Sequence, residues 1–255
     1  MIDLTSVTFA YPHAPPLFEN FSLTICRGET WAILGPSGCG KTTLLYLLAG
    51  LRQSAAGQIS IEGEILTRPR PRSGLIIQDY GLLPWSTVRE NVELGLRVRD
   101  FYGADGRHAP INFQPENNVS YWLKRLGIDE VANKFPSQIS GGQRQRTAIA
   151  RTLALEPDLL LMDEPFSALD AVTRGDLQSL TLSLCSEQKL TLVIVTHAIE
   201  EAVGLGKKIL LLGEAPNQSA RIFENPNAGQ TGHRSSQAYH ELCDLLWREM
   251  RYETA

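Results

Sequence analysis

The chain has few cysteines, no long apolar run and no excess of positive charge, and each absence excludes a class of protein. Its four cysteines form no Cys-x-x-Cys pair, so reduced thiols of a cytosolic protein are expected rather than a zinc site or a disulfide framework. No apolar run approaches the ~18 residues of a membrane span, and the N-terminus does not read as a signal peptide. The net charge of −4 argues against a nucleic-acid-binding surface. If the protein works at a membrane, we expect it to dock there through another polypeptide.

Apolar runs that alternate with helical patterns indicate an α/β fold. The runs that favour strands are 2–9, 21–26, 31–34, 58–61, 74–77, 159–162, 191–195 and 209–212. Strands that alternate with helices pair in parallel, which predicts a sheet covered on both faces. Between about Thr87 and Leu155 helical patterns replace the strands, and this stretch is interpreted as a subdomain inserted into the sheet domain. Apolar residues from Tyr239 onward recur at helical spacing.

Prolines and arginines give three further local expectations. Pro15 and Pro16 predict a loop between the first two strands, and Pro115 suits the first position of a helix that runs to about Leu126. The basic, proline-broken segment 68–74 is interpreted as a solvated loop, because runs of like charge usually are.

Residues 35–43 read Gly-Pro-Ser-Gly-Cys-Gly-Lys-Thr-Thr, which matches the phosphate-loop pattern. Its glycines let the backbone turn tightly and approach a ligand, so that successive N–H groups form an anion nest at the start of the next helix. Lys41 can reach the β- and γ-phosphates, and the Thr42 hydroxyl can ligate Mg²⁺. The preceding apolar run at 31–34 is typical of a buried strand that delivers a loop to a helix, which disfavours a fortuitous glycine-rich turn.

Two further patterns carry chemistry. The apolar run 159–162 ends in Asp163, placed to hold Mg²⁺ through water, and Glu164, placed to polarise an attacking water as a general base. Residues 140–143 (Ser-Gly-Gly-Gln) open another helix with Ser140 as N-cap. Two glycines in a first turn cost about 1 kcal/mol each if interior, so the alternatives are a loose helix start or a second anion site. A chain with both glycine motifs looks built to close around ATP from two sides.

These motifs resemble those of an ATP-binding cassette ATPase, the nucleotide-binding subunit of an ABC transporter, from Tyr11 to at least His197. Residues 35–43 resemble Walker A, 139–143 the signature with Ile139 in place of leucine, 159–164 Walker B and 167–170 the D-loop. The resemblance implies an α/β P-loop NTPase (RecA-like) core sheet, an N-terminal antiparallel β subdomain and an inserted α-helical signature subdomain. It implies an ABC ATPase domain over 1–225, with the helical subdomain at about 87–155, and a short C-terminal helical tail over 226–255.

The resemblance also implies roles for residues that the patterns alone leave open. Gln78 of the Q-loop would reach the Mg²⁺ and γ-phosphate region, the switch residue His197 would contact the γ-phosphate, and Tyr11 would stack on adenine. Taken singly, each has an ordinary structural reading. The implied catalytic residues are Glu164, His197 and Gln78, and the implied metal ligands are Thr42, Gln78 and Asp163. The implied ATP-binding residues are Tyr11, Gly35, Pro36, Ser37, Gly38, Cys39, Gly40, Lys41, Thr42, Thr43, Ser140, Gly141, Gly142 and Gln143.

The segment after Gln78 is similar to importers of the nitrate, sulfonate and taurine type, through the run Leu-Leu-Pro-Trp at 82–85. These apolar residues are either core residues or part of an apolar groove that receives a short coupling helix of a permease. One departure from the family pattern is Ala198, where an aspartate usually follows the histidine. This departure weakens the resemblance around the switch residue His197.

The resemblance implies ATP hydrolysis that energises import of a small anionic or organic solute. The implied partners are a second copy (or a similar ATPase subunit), integral membrane permease subunits and, indirectly, an extracytoplasmic solute-binding protein. The implied location is the cytoplasmic face of the membrane, and no nucleic acid is expected. The alternatives are a soluble ABC ATPase outside transport and a phosphate-loop kinase. Soluble ABC ATPases carry a long coiled-coil insertion or a second cassette, and this sequence shows neither. In a phosphate-loop kinase, residues 140–143 would have no role.

Overall fold

The computed structural model describes residues 1–112 and 118–252, which form an α/β structure. The strands, in chain order, are β1 (Ile2–Ala10), β2 (Pro16–Ile25), β3 (Thr30–Leu34), β4 (Ala56–Ile61), β5 (Glu64–Ile65), β6 (Ser73–Ile76), β7 (Leu159–Asp163), β8 (Thr191–Val195), β9 (Lys208–Leu211) and β10 (Arg221–Glu224). The helices are α1 (Lys41–Leu48), α2 (Val88–Tyr102), α3 (Val119–Arg125), α4 (Gly141–Leu153), α5 (Ala171–Gln188), α6 (Ile199–Leu205) and α7 (Gln237–Tyr252). Over the described residues, no helix is long and apolar enough to cross a bilayer.

The chain divides into two compact units. The first comprises Met1–Pro69 together with Leu182–Ala255, and the second comprises Arg70–Thr181. Helices α2, α3 and α4 all lie in the second unit, within the stretch predicted to be helical. The predicted domain bounds, with a tail from residue 226, stay a prediction.

An antiparallel sheet in the order β2-β1-β4-β5 forms part of the first unit. β1 alternates buried and exposed residues along most of its length, as a strand with one covered face does. The prediction of a loop through Pro16 is wrong, because β2 begins at this residue. Proline has no N–H to donate, but the first residue of an edge strand loses little by that, and β2 is the sheet edge.

The second sheet of this unit is built on parallel strands. β3 pairs in parallel with β8 on one side and with β9 on the other, and β10 adds an antiparallel edge. All five residues of β8 are buried, as expected of a strand covered on both faces. Because Ile33 lies opposite Val195, the segments that follow β3 and β8 leave the sheet at the same edge. The phosphate loop and the segment that carries His197 both begin at this edge.

The second unit contains the parallel pair β6 and β7 and the helices around it. Ile76 lies opposite Met162, so the segments after these two strands also leave at a common edge. α3 begins at Val119; its predicted start at Pro115 lies outside the described residues. The solvated-loop interpretation of 68–74 is wrong for Arg70, whose guanidinium makes two hydrogen bonds of 2.9 Å to the Asp158 carboxylate.

Candidate functional site

The phosphate loop connects β3 to α1 and is held closed from within. The Lys41 ammonium is buried and donates to the carbonyl oxygens of Gly35 at 2.8 Å and Pro36 at 2.7 Å. From outside the loop, the Asn217 side-chain amide donates to the Cys39 carbonyl at 3.0 Å. A buried cation bound to neutral carbonyls fits an anionic ligand, because burying a charge is costly unless an opposite charge accompanies it.

The glycines of this loop are required for different reasons. A Cβ on Gly35 would lie 2.5 Å from the Leu212 carbonyl oxygen, so close packing excludes a side chain there. Gly38 has a φ of +80° but no atom within 4 Å of such a Cβ. Glycine is therefore needed at position 38 for its backbone conformation alone. The space above the loop is open, as a loop that cradles phosphate requires.

Tyr11, just after β1, is brought to the phosphate loop. Its hydroxyl lies 3.2 Å from the Thr43 hydroxyl, and its ring packs against the Phe9 ring at a centroid distance of 5.1 Å. The Arg52 guanidinium lies over the same ring at 5.7 Å. These contacts fix the ring beside the phosphate loop.

His197 is exposed and follows the end of β8 by two residues. The Thr196 hydroxyl fixes the turn after it, since it accepts from the Ala198 N–H at 3.1 Å and donates to the Glu201 carboxylate. The sequence did not identify Thr196 and Glu201, because the only signal for these two residues was their spacing around His197. The turn at Ala198 is therefore defined without a carboxylate at that position.

Asp163 and Glu164 lie at the carboxyl end of β7. Asp163 is buried, and Glu164 has a φ of +44°, in a region that non-glycine residues rarely adopt. The Glu164 carbonyl accepts from the Ser167 N–H at 3.3 Å and hydroxyl at 3.0 Å, which holds this conformation. Gln78 is exposed and leaves the same edge after β6. Unusual backbone conformations of this kind concentrate at functional sites.

The signature residues form a well-ordered helix start. The Ser140 hydroxyl accepts from the Gln143 N–H at 3.2 Å, and the Gln143 side chain accepts from the Ser140 N–H at 3.0 Å. This is a complete capping box. The alternative of a loose helix start is therefore wrong.

The apolar segment 82–85 is not simply part of the core. Trp85 is 73% exposed, so the core interpretation is wrong for this residue. The loop is instead held by Asn91, which is fully buried and which the sequence reasoning missed. Its side-chain oxygen accepts from the Leu83 N–H at 2.8 Å, and its nitrogen lies 3.0 Å from the carbonyl oxygens of Ser86 and Thr87.

The candidate residues divide between the two units. The phosphate loop, Tyr11 and His197 belong to the first unit, and Gln78, Asp163, Glu164 and residues 140–143 belong to the second. Within the described ranges, no group of three or more histidine, cysteine, aspartate or glutamate side chains is placed to hold a metal ion.

Comparison with known proteins gives a consistent class. The family described as ABC transporter matches residues 18–167. The chain is 38% identical to the aliphatic sulfonates import ATP-binding protein SsuB of Bacillus thuringiensis subsp. konkukian, over 92% of this chain and 89% of that protein. It is 41% identical to the taurine import ATP-binding protein TauB of Escherichia coli O157:H7, over 80% of this chain and 76% of that one.

Solved structures agree with these relatives. A dimeric post-hydrolysis state of the ATP-binding cassette MJ0796 bound to ADP and Pi superposes with a TM-score of 0.72 at 31% identity, and covers 88% of this chain and 98% of that one. The fold and the motifs define an ABC-type ATPase, which confirms the predicted α/β P-loop architecture. The chain belongs to the ABC transporter family, as an ATP-binding and ATP-hydrolysing subunit.

Proposed function

We propose that this chain energises an importer of a small anionic or organic solute, at the cytoplasmic face of the membrane and together with permease subunits. The observation that carries the proposal is its similarity, over most of its length, to subunits named for sulfonate and taurine import. A nitrate import ATP-binding protein, NrtC of Synechococcus elongatus, is 42% identical over 81% of this chain, which spans 30% of that protein. The soluble alternative has no support among these relatives.

ATP binds at the phosphate loop. The Lys41 ammonium donates to the Gly35 and Pro36 carbonyls, and from this position it can reach the β- and γ-phosphates of bound ATP. The N–H groups of the loop and the start of α1 add positive potential. Tyr11 offers its ring to adenine beside Thr43. The remaining loop residues that we assign to this site are Ser37, Gly38, Cys39, Gly40 and Thr42.

Mg²⁺ fits the donor set that the chain offers to the nucleotide. Thr42, Gln78 and Asp163 provide hydroxyl, amide and carboxylate oxygens, which are the ligands this ion prefers. The ion would neutralise negative charge on the phosphates. The low exposure of Asp163, at 5%, suits a carboxylate that faces a cation rather than solvent.

Hydrolysis is assigned to three side chains. Glu164 accepts a proton from the attacking water, His197 orders that water at the γ-phosphate, and Gln78 senses the nucleotide and the permease. The backbone of Glu164, held with positive φ by Ser167, aims the carboxylate without relying on a flexible turn.

Two copies act as a head-to-tail dimer. ATP bound to Lys41 and Thr42 of one copy is capped by residues 140–143 of the other, where the Ser140 hydroxyl, the N–H groups of the two glycines and the dipole of α4 face the phosphates. ATP favours the closed dimer because it binds that state better, and hydrolysis reopens it. Closure moves the permease, which receives solute from an extracytoplasmic solute-binding protein. No nucleic acid takes part.

The permease contacts the loop that Asn91 holds. Trp85 stands exposed on this loop in a defined conformation, which is how an aromatic anchor of an interface is presented. A short helix of the permease is the proposed partner.

The test is whether Glu164→Gln traps a dimer in Mg-ATP. The substitution keeps the size of the side chain but removes the base, so closed dimers accumulate instead of turning over. Sedimentation velocity with saturating Mg-ATP should show dimers of this variant and monomers without nucleotide. The matched control is Glu130→Gln at an exposed position, which should behave like the unaltered protein. Persistent monomers of Glu164→Gln with bound ATP would contradict the proposal.

A further inference from the structure

The second glycine of the signature packs against the helix that follows the D-loop segment 167–170. A Cβ built on Gly142 would lie 2.6 Å from the Thr173 methyl carbon, in the first turn of α5. Real Cβ atoms do not approach other carbon atoms this closely, so any side chain at 142 must displace the Thr173 side chain, α4 or α5. At Gly141 the nearest atom is a terminal methyl of Leu169 at 3.3 Å, which can move more easily.

The Thr173 methyl has little freedom to turn away. The Thr173 N–H donates to the Asp170 carboxylate at 3.0 Å, and the Thr173 hydroxyl lies near enough to the same carboxylate to affect its pKa. The Thr173 N–H and then the Thr173 hydroxyl lower the pKa of Asp170 below its ordinary value. Because threonine is branched at Cβ, its side chain has few rotamers in a helix, and the methyl therefore has few directions to take.

The start of α5 is rigid around this contact. The Arg174 guanidinium donates to the Leu169 carbonyl at 2.7 Å, and the Arg174 N–H donates to the Asp170 carbonyl at 2.9 Å. The Asp170 carboxylate also accepts from the Val172 N–H at 3.1 Å. The segment 167–170 and the first turn of α5 therefore form one rigid piece. The Thr173 methyl is the part of this piece that packs against α4.

We propose that Thr173 is a positioning residue for the signature: its methyl sets how closely the first turn of α4 approaches α5, and this contact within one chain requires glycine at 142. The inference rests on the proposed dimer, in which residues 140–143 act on ATP of the partner copy. It also means that a shift of segment 167–170 is passed to the signature through Thr173. Packing within one chain is thus enough to require glycine at 142.

A double-mutant cycle tests this in the Glu164→Gln protein. Gly142→Ala, Thr173→Ser and the double variant are compared by the dissociation constant of the dimer in saturating Mg-ATP. Gly142→Ala should weaken the dimer by about tenfold, because the added methyl displaces the signature. In the Thr173→Ser background, the same change should matter less than about twofold, since serine keeps the hydroxyl group but lacks the methyl.

The matched control is Gly175→Ala, in the same helix, where a Cβ meets no atom within 4 Å. It should leave dimerisation unchanged and leave the melting temperature equal or higher, as alanine favours a helix. Gly142→Ala should lower the melting temperature alone but not in the Thr173→Ser background. ATP binding to monomers should be equal in all variants, because Lys41 and its loop are unaltered.

Three results would overturn the inference. One is a double variant that folds but dimerises as weakly as Gly142→Ala alone, since the phosphate would then require the glycine. Another is a dimer of normal strength for Gly142→Ala. The third is a double variant that fails to fold. If Gly142→Ala itself does not fold, the double variant decides the question. If the parent protein binds ATP without dimerising, the proposed function fails, and the melting temperatures still test the contact between Gly142 and Thr173.

Discussion

At the scale of residues, buried polar side chains hold the loops that carry the candidate site. Asn91 fixes the loop that presents Trp85, Asn217 fixes the phosphate loop at Cys39, and Thr196 fixes the turn after His197. Buried polar groups need hydrogen-bond partners, so each of these side chains selects one loop geometry that an apolar residue would not select.

Asn91→Ala should lower the free energy of unfolding by about 3 kcal/mol, because it leaves loop groups of Leu83, Ser86 and Thr87 without partners in a fully buried place. Urea unfolding measures this loss. The control Asn227→Ala, at an exposed position, should change it by less than about 0.5 kcal/mol. A loss below about 1 kcal/mol for Asn91→Ala would show that the loop does not depend on it.

Single residues differed in how far the sequence could reveal them. Lys41 and Thr42 are predicted from the sequence because the phosphate-loop pattern ties chemistry to fixed spacing. Asn217 was not, because its partner Cys39 lies 178 residues away and no local pattern records such a contact. Thr173 was not predicted either, since its importance depends on the packing of two helices. The roles of all these site residues, those of Lys41, Thr42, Tyr11, Gln78 and His197 included, stay predictions.

At the scale of elements, α4 joins the signature to the loop after Gln78. Its first turn carries the capping box of Ser140, and its last turn carries Arg151. The Arg151 guanidinium donates to the carbonyl oxygens of Tyr80 at 2.8 Å and Gly81 at 2.6 Å. Burial lowers the pKa of Arg151, but an arginine keeps its charge at neutral pH. The helix therefore bridges two motifs with different proposed roles.

Arg151→Met should reduce the rate of ATP hydrolysis by about tenfold or more, because the loop that positions Gln78 loses both bonds. The dissociation constant of ATP should stay unchanged, since the phosphate loop is not touched. Steady-state hydrolysis and equilibrium binding separate the two effects. The control Arg146→Met, on the same helix, removes one bond of 3.1 Å to the Leu126 carbonyl and should keep the rate. Equal rates for the two variants would contradict this role for Arg151.

Elements were predictable where apolar residues form a continuous run or recur at a regular spacing. β3, β7 and β8 are short apolar runs that read as strands, and the apolar spacing of α7 identified the C-terminal helix. β5 and β10 were missed, because each is short and has exposed residues that look like loop. The start of β2 was missed because proline usually marks a loop, although an edge strand tolerates it.

At the scale of the whole molecule, the two glycine motifs support the proposed dimer. The phosphate loop and the signature are separate anion-binding devices, and a single triphosphate site needs only the first. Each unit of the chain carries one of them. A symmetric dimer gives the second device a purpose, because every contact then occurs twice and both copies contribute to each site.

Complementation between two inactive variants tests this claim most directly. Lys41→Ala removes the phosphate contact, and Ser140→Arg fills the start of α4 with a large side chain. Each variant alone should hydrolyse no ATP. An equimolar mixture should recover up to about a quarter of the normal rate, because half of randomly paired dimers are mixed and each mixed dimer has one complete site. A mixture that forms mixed dimers yet stays inactive, or either variant alone at the normal rate, would contradict the shared site.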